Sequence, residues 1–159
     1  MIKADMLVKE FKPEKLYENG NDVTLPILQS RLKEAAEKYQ IPIAFTNDQI
    51  KYGGVFNSTT IDCLVVYHPE HPSDYLRYTV SIKRQGTIAY VAVHLYGKSK
   101  QIGKKSLSKG AVASLKEGKV GTAILMGVLS LGKNKDKLKD EENYNHAIWQ
   151  IFDEVIFES

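Results

Sequence analysis

Two histidines and two carboxylates lie close together in the segment His68-Pro-Glu-His71-Pro-Ser-Asp74. Imidazole and carboxylate groups are donors that zinc and similar ions prefer. Two prolines in the same segment are equally typical of a stiff, exposed connection between strands. A spacing of three residues without helical support is not expected to aim both rings at one point. A turn is therefore the favoured interpretation and no metal ligand is assigned; a metal-dependent enzyme at His68 and His71 is the less favoured alternative.

Glycines, lysines and a serine cluster between Gly97 and Ser106, as they do in a phosphate-binding loop. That loop requires four residues between its glycines, followed by Lys and then Ser or Thr. Here five residues separate Gly97 from Gly103, and an extra lysine precedes Ser106. Because the spacing fixes which backbone N–H groups face the phosphates, the segment is interpreted as a basic loop. No cofactor is predicted.

The basic segment Lys98–Lys119 holds seven lysines and one acidic residue. Such a segment attracts phosphates in a salt-sensitive way. It contains no arginine and no aromatic residue, so the bidentate contacts and stacking platforms of base recognition are absent. Weak, sequence-nonspecific nucleic-acid binding is therefore kept as an alternative function. The lysines that would carry it are Lys98, Lys100, Lys104, Lys105 and Lys109.

Aromatic side chains alternate with aliphatic ones in the last strand-like run. By the period of two, Tyr90, His94 and Tyr96 share one face, and the aliphatic face is expected to meet the helices. If exposed, the aromatic face would form a binding surface, with Lys83 and Arg84 near the adjoining turn. The alternative is a second core layer in which C-terminal helices cover the rings. The amount of apolar helix sequence favours that alternative.

No serine, cysteine or lysine nucleophile can be paired with a base in the sequence, and no catalytic residue is predicted. Cys63 is the only cysteine, so no intramolecular disulfide can form. It lies within an apolar strand-like run, where a packing role is expected.

The middle of the chain is rich in β-branched and aromatic residues. Three runs, at 59–68, 75–84 and 87–96, are joined by short connections, of which Gln85-Gly86 is typical of a tight turn. An antiparallel meander is predicted. An extra strand is expected near Ile43–Phe45, and the paired glycines Gly53 and Gly54 indicate a turn or a bulge.

Apolar residues recur at helical spacing from Thr24, a plausible N-cap, to the Gln40-Ile-Pro segment. A second such pattern ends the chain, with acids at 140–142 placed in the first turn. Between them, Gly110–Leu131 is interpreted as two helices that meet near Gly118, with a strand in Val120–Leu131 as the alternative, and 133–139 as a solvated connector. Residues 1–22 are predicted to form a short helix or strand followed by a loop.

Length and composition indicate one domain covering residues 1–159. The net charge is +3, but residues 98–139 hold 11 lysines and two acids, whereas residues 140–159 hold six acids and no Lys or Arg. The acidic tail is expected to fold back on the basic block rather than leave it for an anionic partner. The longest apolar run, 13 residues, is too short for a membrane span, which needs about 20. A cytoplasmic location is expected.

The predicted fold class is α+β: an antiparallel meander sheet of three to five strands, with an N-terminal helix and two or three C-terminal helices packed on it. The leading functional hypothesis is a non-enzymatic protein-interaction or oligomerisation module. Its partner would be another protein or a second copy of the chain. A sheet edge and the aromatic strand face are the surfaces expected to make the contacts.

Overall fold

The structure, a computed structural model, describes residues 1–8, 13–97 and 135–158 of the chain. It is an α+β fold built on one sheet. The strands are β1 (Ile2–Lys3), β2 (Lys15–Tyr17), β3 (Ala44–Tyr52), β4 (Thr59–Tyr67), β5 (Arg77–Gln85) and β6 (Ile88–Tyr96). The helices are α1 (Leu25–Lys38) and α2 (Lys135–Phe152), and the chain continues from α2 into a π-helical turn at Asp153–Phe157.

The six strands lie in the order β1-β3-β4-β5-β6-β2. Strands β3 to β6 follow one another as antiparallel neighbours, so the predicted meander is confirmed and extended by β3. The two N-terminal strands add at opposite edges: β1 runs parallel to β3, and β2 runs antiparallel to β6. The sheet is thus mostly antiparallel and has six strands rather than three to five.

Two of the predicted turns are confirmed at glycines with positive φ. Gln85 pairs with Ile88, which leaves Gly86 and Thr87 as a two-residue hairpin turn. Gly86 has φ +61°, as the first position of a type II′ turn requires. In the β3–β4 connection Gly53 has φ +91°, and a Cβ there would lie 2.0 Å from the carbonyl oxygen of Asn57.

Successive side chains along each strand point to opposite sides, so the sheet has two different faces. On one, here called the helix face, aliphatic residues and Tyr78 pack in the main core with residues of α1 and α2. The aliphatic face of β6 is therefore the one that meets the helices, as predicted. The opposite face, here called the second face, carries a smaller apolar cluster that consists of Ile2, Ile50, Cys63 and Val65.

Helix α1 begins where the capping pattern predicts. The Thr24 side chain accepts the backbone N–H of Ile27 at 3.3 Å, which satisfies one of the free donors of the first turn. Leu28, Leu32 and Ala36 are buried on the side of the helix that faces the sheet. The helix ends at Lys38, and Gln40 turns the chain with φ +55°.

Helix α2 begins at Lys135, five residues earlier than predicted. The acids at 140–142 therefore lie beyond the first turn, which holds Asp136 instead, and residues 135–139 of the predicted connector are helical. Lysine and leucine are good helix formers, which accounts for the extension. The buried Glu141 serves a tertiary contact instead, because its Oε1 accepts the backbone N–H of Leu76 at 2.9 Å.

Part of the acidic tail folds back on α1, since Lys38 Nζ lies 2.9 Å from Glu154 Oε1. The lysine block that this tail was expected to neutralise lies outside the described residues. The same holds for the helices predicted in Gly110–Leu131. None of the helices in the described ranges is long and apolar enough to cross a membrane.

Gly53→Ala tests the positive φ of the β3–β4 connection. We expect the free energy of unfolding to fall by about 1–3 kcal/mol, because alanine is strained at this φ and its Cβ meets the Asn57 carbonyl. Gly54→Ala is the matched control: no atom lies within 4 Å of its added Cβ, so its effect should stay within about 0.5 kcal/mol. Urea unfolding followed by the fluorescence of Trp149, the only tryptophan, measures both. Equal effects of the two variants would contradict the turn geometry.

Candidate functional site

The β4–β5 connection places the two histidines of the first motif side by side. The backbone N–H of His71 donates to the carbonyl of His68 at 3.1 Å, which closes a turn, as predicted. The ring centroids of His68 and His71 lie only 4.8 Å apart in an edge-to-face arrangement. The expectation that the two rings would diverge is therefore wrong, because this backbone hydrogen bond folds the three-residue spacing back on itself.

His68 is buried, with 9% of its surface exposed. Its ring packs on Tyr75 and on Tyr144 of α2, at centroid distances of 5.5 and 4.6 Å. Its Nδ1 accepts the backbone N–H of Glu70 at 3.0 Å. Burial, and then the proximity of His71, lowers the pKa of His68, so its imidazole is neutral at pH 7 with the proton on Nε2.

His71 is held by a carboxylate and an aromatic ring. Its Nδ1 lies 2.9 Å from Asp74 Oδ2, and the ring stacks on Tyr75 with a centroid distance of 4.0 Å and an interplanar angle of 5°. A carboxylate beside Nδ1 places a proton there and leaves the lone pair on Nε2. These two contacts orient the ring, which sequence spacing alone could not show.

The second face carries the aromatic residues that the sequence singled out. Tyr90, His94 and Tyr96 are half-buried there. The Arg77 guanidinium lies over the Tyr96 ring at 4.8 Å, and the Lys83 ammonium lies over the Tyr52 ring at 5.1 Å. Helix α2 packs on the helix face and not on these rings; a cover formed by the helices predicted at Gly110–Leu131 lies outside the described residues.

Three polar atoms on the second face are buried without a hydrogen-bond partner among the described residues: Thr79 Oγ1, Ser81 Oγ and His94 Nδ1. Thr79 pairs with His94 across β5 and β6, and Ser81 is two residues further along β5. Burial, and then the charge of Lys83, lowers the pKa of His94. Nearby, burial raises the pKa of the Cys63 thiol to about 12, which keeps it protonated and fits its expected packing role.

Arg84 does not lie on the second face with the other predicted binding residues. Its guanidinium donates to the carbonyl of Gly20 at 2.6 Å and also to the carbonyl of Val23. The side chain thus holds the turn that leads into α1. The nucleic-acid alternative cannot be placed, since all five of its lysines lie outside the part of the chain that the structure describes.

The outer edge of β3 is only partly paired within the described residues. Only Ile50 and Lys51 pair with β1, so residues 44–49 have no strand on that side among the described residues. On the opposite side of the sheet, β6 is covered by the edge strand β2 at 89–91 and by the backbone of Leu7 and Val8 near its end. A small cleft of about 210 Å³ borders the open edge and is lined by Thr46, Asp48, Val65, Tyr67, Pro72, Arg77 and Tyr96.

The tip of the β3–β4 hairpin exposes two apolar side chains that the sequence analysis did not single out. Val55 is 88% exposed and Phe56 is 98% exposed. The signal that could have found them is the apolar pair directly after Gly53-Gly54. Side chains at a hairpin tip extend past the ends of the strands, so the sheet itself does not cover them. Single exposed apolar residues are ordinary, but an adjacent pair at a hairpin tip marks this end of the sheet.

Comparison with protein-family models, with curated proteins and with solved structures finds no match to this chain.

Two neighbouring substitutions on β5 test the polar groups of the two faces. Tyr78→Phe should lower the free energy of unfolding by about 2 kcal/mol, because the Tyr78 hydroxyl donates to Asn145 Oδ1 in the main core. Thr79→Val should leave it unchanged or raise it, since Thr79 Oγ1 has no partner in the described structure. Denaturant unfolding measures both. A loss above about 1 kcal/mol in Thr79→Val would show that this hydroxyl is hydrogen-bonded.

The depressed pKa values of His68 and His94 predict a pH dependence of stability. The unfolded chain binds protons at these two histidines more readily than the folded chain. Their contribution to the free energy of unfolding is therefore complete above the ordinary histidine pKa of 6.5, and it is lost as the pH falls through the pKa values of the folded state. NMR titration should place both below 6.5, with His68 as the Nε2–H tautomer. Values at or above 6.5 would contradict the burial of these rings.

Proposed function

We propose that the protein is a non-enzymatic interaction module that binds a protein by adding a strand of that partner to the open edge of β3. The single observation that carries the proposal is the six-residue stretch at 44–49, which has no paired strand on its outer side among the described residues. The partner is another protein chain or a second copy of this one.

The open edge has the properties that strand addition requires. Residues 44–49 are extended and span about 20 Å at the usual rise per residue. Thr46, Asn47 and Gln49 are exposed, and Asp48 is the only charge in the stretch. An edge normally carries lysine, proline or a bulge to block unwanted pairing, and none of these lies within it. Its row of backbone donors and acceptors supports main-chain recognition of an extended segment.

The surroundings of the edge add specificity to backbone pairing. Phe56 and Val55 lie at the tip of the same hairpin, beyond the β1-paired Ile50 and Lys51. They present on the order of 300 Å² of apolar surface for a partner to bury. The cleft beside Thr46 and Asp48 is lined by Tyr67, Tyr96 and Arg77. Tyrosine and arginine are enriched where interfaces gain most of their affinity. One side chain of an added strand would reach this cleft.

Tyr90, His94, Tyr96 and Lys83 remain in the proposal as the face that flanks the interaction. Tyr96 lines the cleft, and Tyr90 and Lys83 line a shallower groove of about 710 Å³. Arg84 is better assigned to holding the turn before α1. Nucleic-acid binding through the lysine block stays an alternative, with a salt titration against DNA or RNA as its test.

The interaction hypothesis is tested by site-specific photo-crosslinking from the edge. A benzoylphenylalanine at position 47 or 56 should give one adduct of defined mass, either with a second copy of the chain or with one partner in an extract. The same group at Glu34, an exposed position of α1, is the control and should give none. Light scattering after size-exclusion chromatography then distinguishes self-association from a separate partner.

A charge at the edge should weaken whatever binds there. Asn47→Lys should reduce the yield of the adduct formed from position 56 at least about tenfold, because a lysine on an edge strand opposes pairing. Ser30→Lys adds the same charge on an exposed position of α1 and should have no effect. Equal adducts from positions 47 and 34, or no sensitivity to Asn47→Lys, would overturn strand addition.

A further inference from the structure

We propose that the β4–β5 connection is a binding site for a divalent transition-metal ion of the zinc type, with His71, His68 and Glu70 as ligands and Asp74 as the group that orients His71. This site is separate from the β3 edge and does not depend on the interaction proposed there. Ligand atoms of His68, Glu70 and His71 all lie within 4.8 Å of one another.

The strongest part of the site is the pairing of His71 with Asp74. The carboxylate lies 2.9 Å from Nδ1 and leaves Nε2 with its lone pair directed away from Asp74. A histidine whose far nitrogen donates to a carboxylate is the usual arrangement at zinc sites, because the pair fixes the tautomer and makes the ligand more basic. The His71 side chain is 35% exposed, so an ion can approach it from solvent.

His68 supplies the second donor from the buried side of the turn. Its ring is positioned by Tyr75 and Tyr144, and Tyr144 is itself anchored by a 2.8 Å hydrogen bond from its hydroxyl to the carbonyl of Pro42. Glu70 follows on the same turn and its side chain is exposed. Two imidazoles and one carboxylate form a donor set that zinc accepts, and a three-residue set leaves one position for water.

The ligand atoms must move closer together when the ion binds. Zinc–nitrogen bonds of about 2.1 Å place two tetrahedral ligands about 3.4 Å apart, compared with a spread of up to 4.8 Å in the structure. The exposed Glu70 side chain and the half-exposed His71 ring can supply a movement of about 1.4 Å. The two prolines limit the entropy that the turn loses on binding.

One existing contact competes with the metal. His68 Nδ1 accepts the backbone N–H of Glu70. The ion either takes Nδ1 directly or binds Nε2 after the Nε2 proton moves to Nδ1, and this hydrogen bond is lost in both cases. We therefore expect moderate affinity, with a Kd on the order of 10 μM, rather than the tight binding of a structural zinc site. An ion at this position would clamp the β4–β5 connection against α2 through His68 and Tyr144.

Titration of the full chain with Co²⁺ and with Zn²⁺ tests the site. Co²⁺ should give d–d absorption bands typical of tetrahedral nitrogen and oxygen ligands, and Zn²⁺ should displace it at a ratio of one ion per chain. His71→Ala should abolish the bands. Asp74→Asn should weaken binding by about tenfold, as loss of an orienting carboxylate does at known metal sites. Circular dichroism checks that each variant is folded.

His146→Ala is the matched control, because His146 is an exposed histidine on α2 far in sequence from the turn. It should leave the Co²⁺ bands and the Zn²⁺ affinity unchanged. A second readout is NMR: Zn²⁺ should shift the imidazole signals of His68 and His71 and leave those of His94 and His146 in place. No binding at millimolar Zn²⁺, or equal losses in His71→Ala and His146→Ala, would overturn the proposal.

Discussion

The packing of α2 against the helix face of the sheet is the interaction on which the rest of the structure depends. Ile148 and Phe152 are completely or almost completely buried, and the Phe152 ring contacts that of Tyr78 at a centroid distance of 5.5 Å. Burying aromatic and branched side chains of this size contributes about 2–3 kcal/mol each. The buried polar contacts of the same helix fix its register, because Asn145 accepts from Tyr78 and Glu141 accepts from the backbone of Leu76.

The same packing positions both proposed sites. Glu141 and Tyr144 lie on α2 above the β4–β5 connection and determine where that turn lies and which way His68 faces. The helix face is thereby occupied over the main core, whereas Asn47 and Gln49 of β3 are exposed beside its outer edge. Lys15 and Tyr17 of β2 donate to carbonyls of the π-helical turn, which ties the other edge of the sheet to the end of the chain.

The sequence patterns predicted those helices, strands and turns that residues close together in the chain determine. Alternation predicted β4, β5 and β6, Thr24 predicted the start of α1, and Gly86 predicted the hairpin turn, because each depends on dihedral angles and side-chain periods that neighbouring residues determine. For residues 1–22 the sequence allowed one short helix or strand, and it did not predict two separate strands there. Ile2–Lys3 and Lys15–Tyr17 are too short to show a period, and each forms only because a distant strand offers it a backbone edge.

What the sequence by itself determined is therefore the central meander, the first helix and the choice of aliphatic residues for the helix face. Only the tertiary structure decided which backbone edge stays open, what Arg84 holds, and that two histidines in a proline-rich turn face each other. These features depend on contacts between residues far apart in the chain. Bringing such residues together costs conformational and loop-closure entropy, so no local pattern predicts them. The packing of α2 on the sheet offsets this cost.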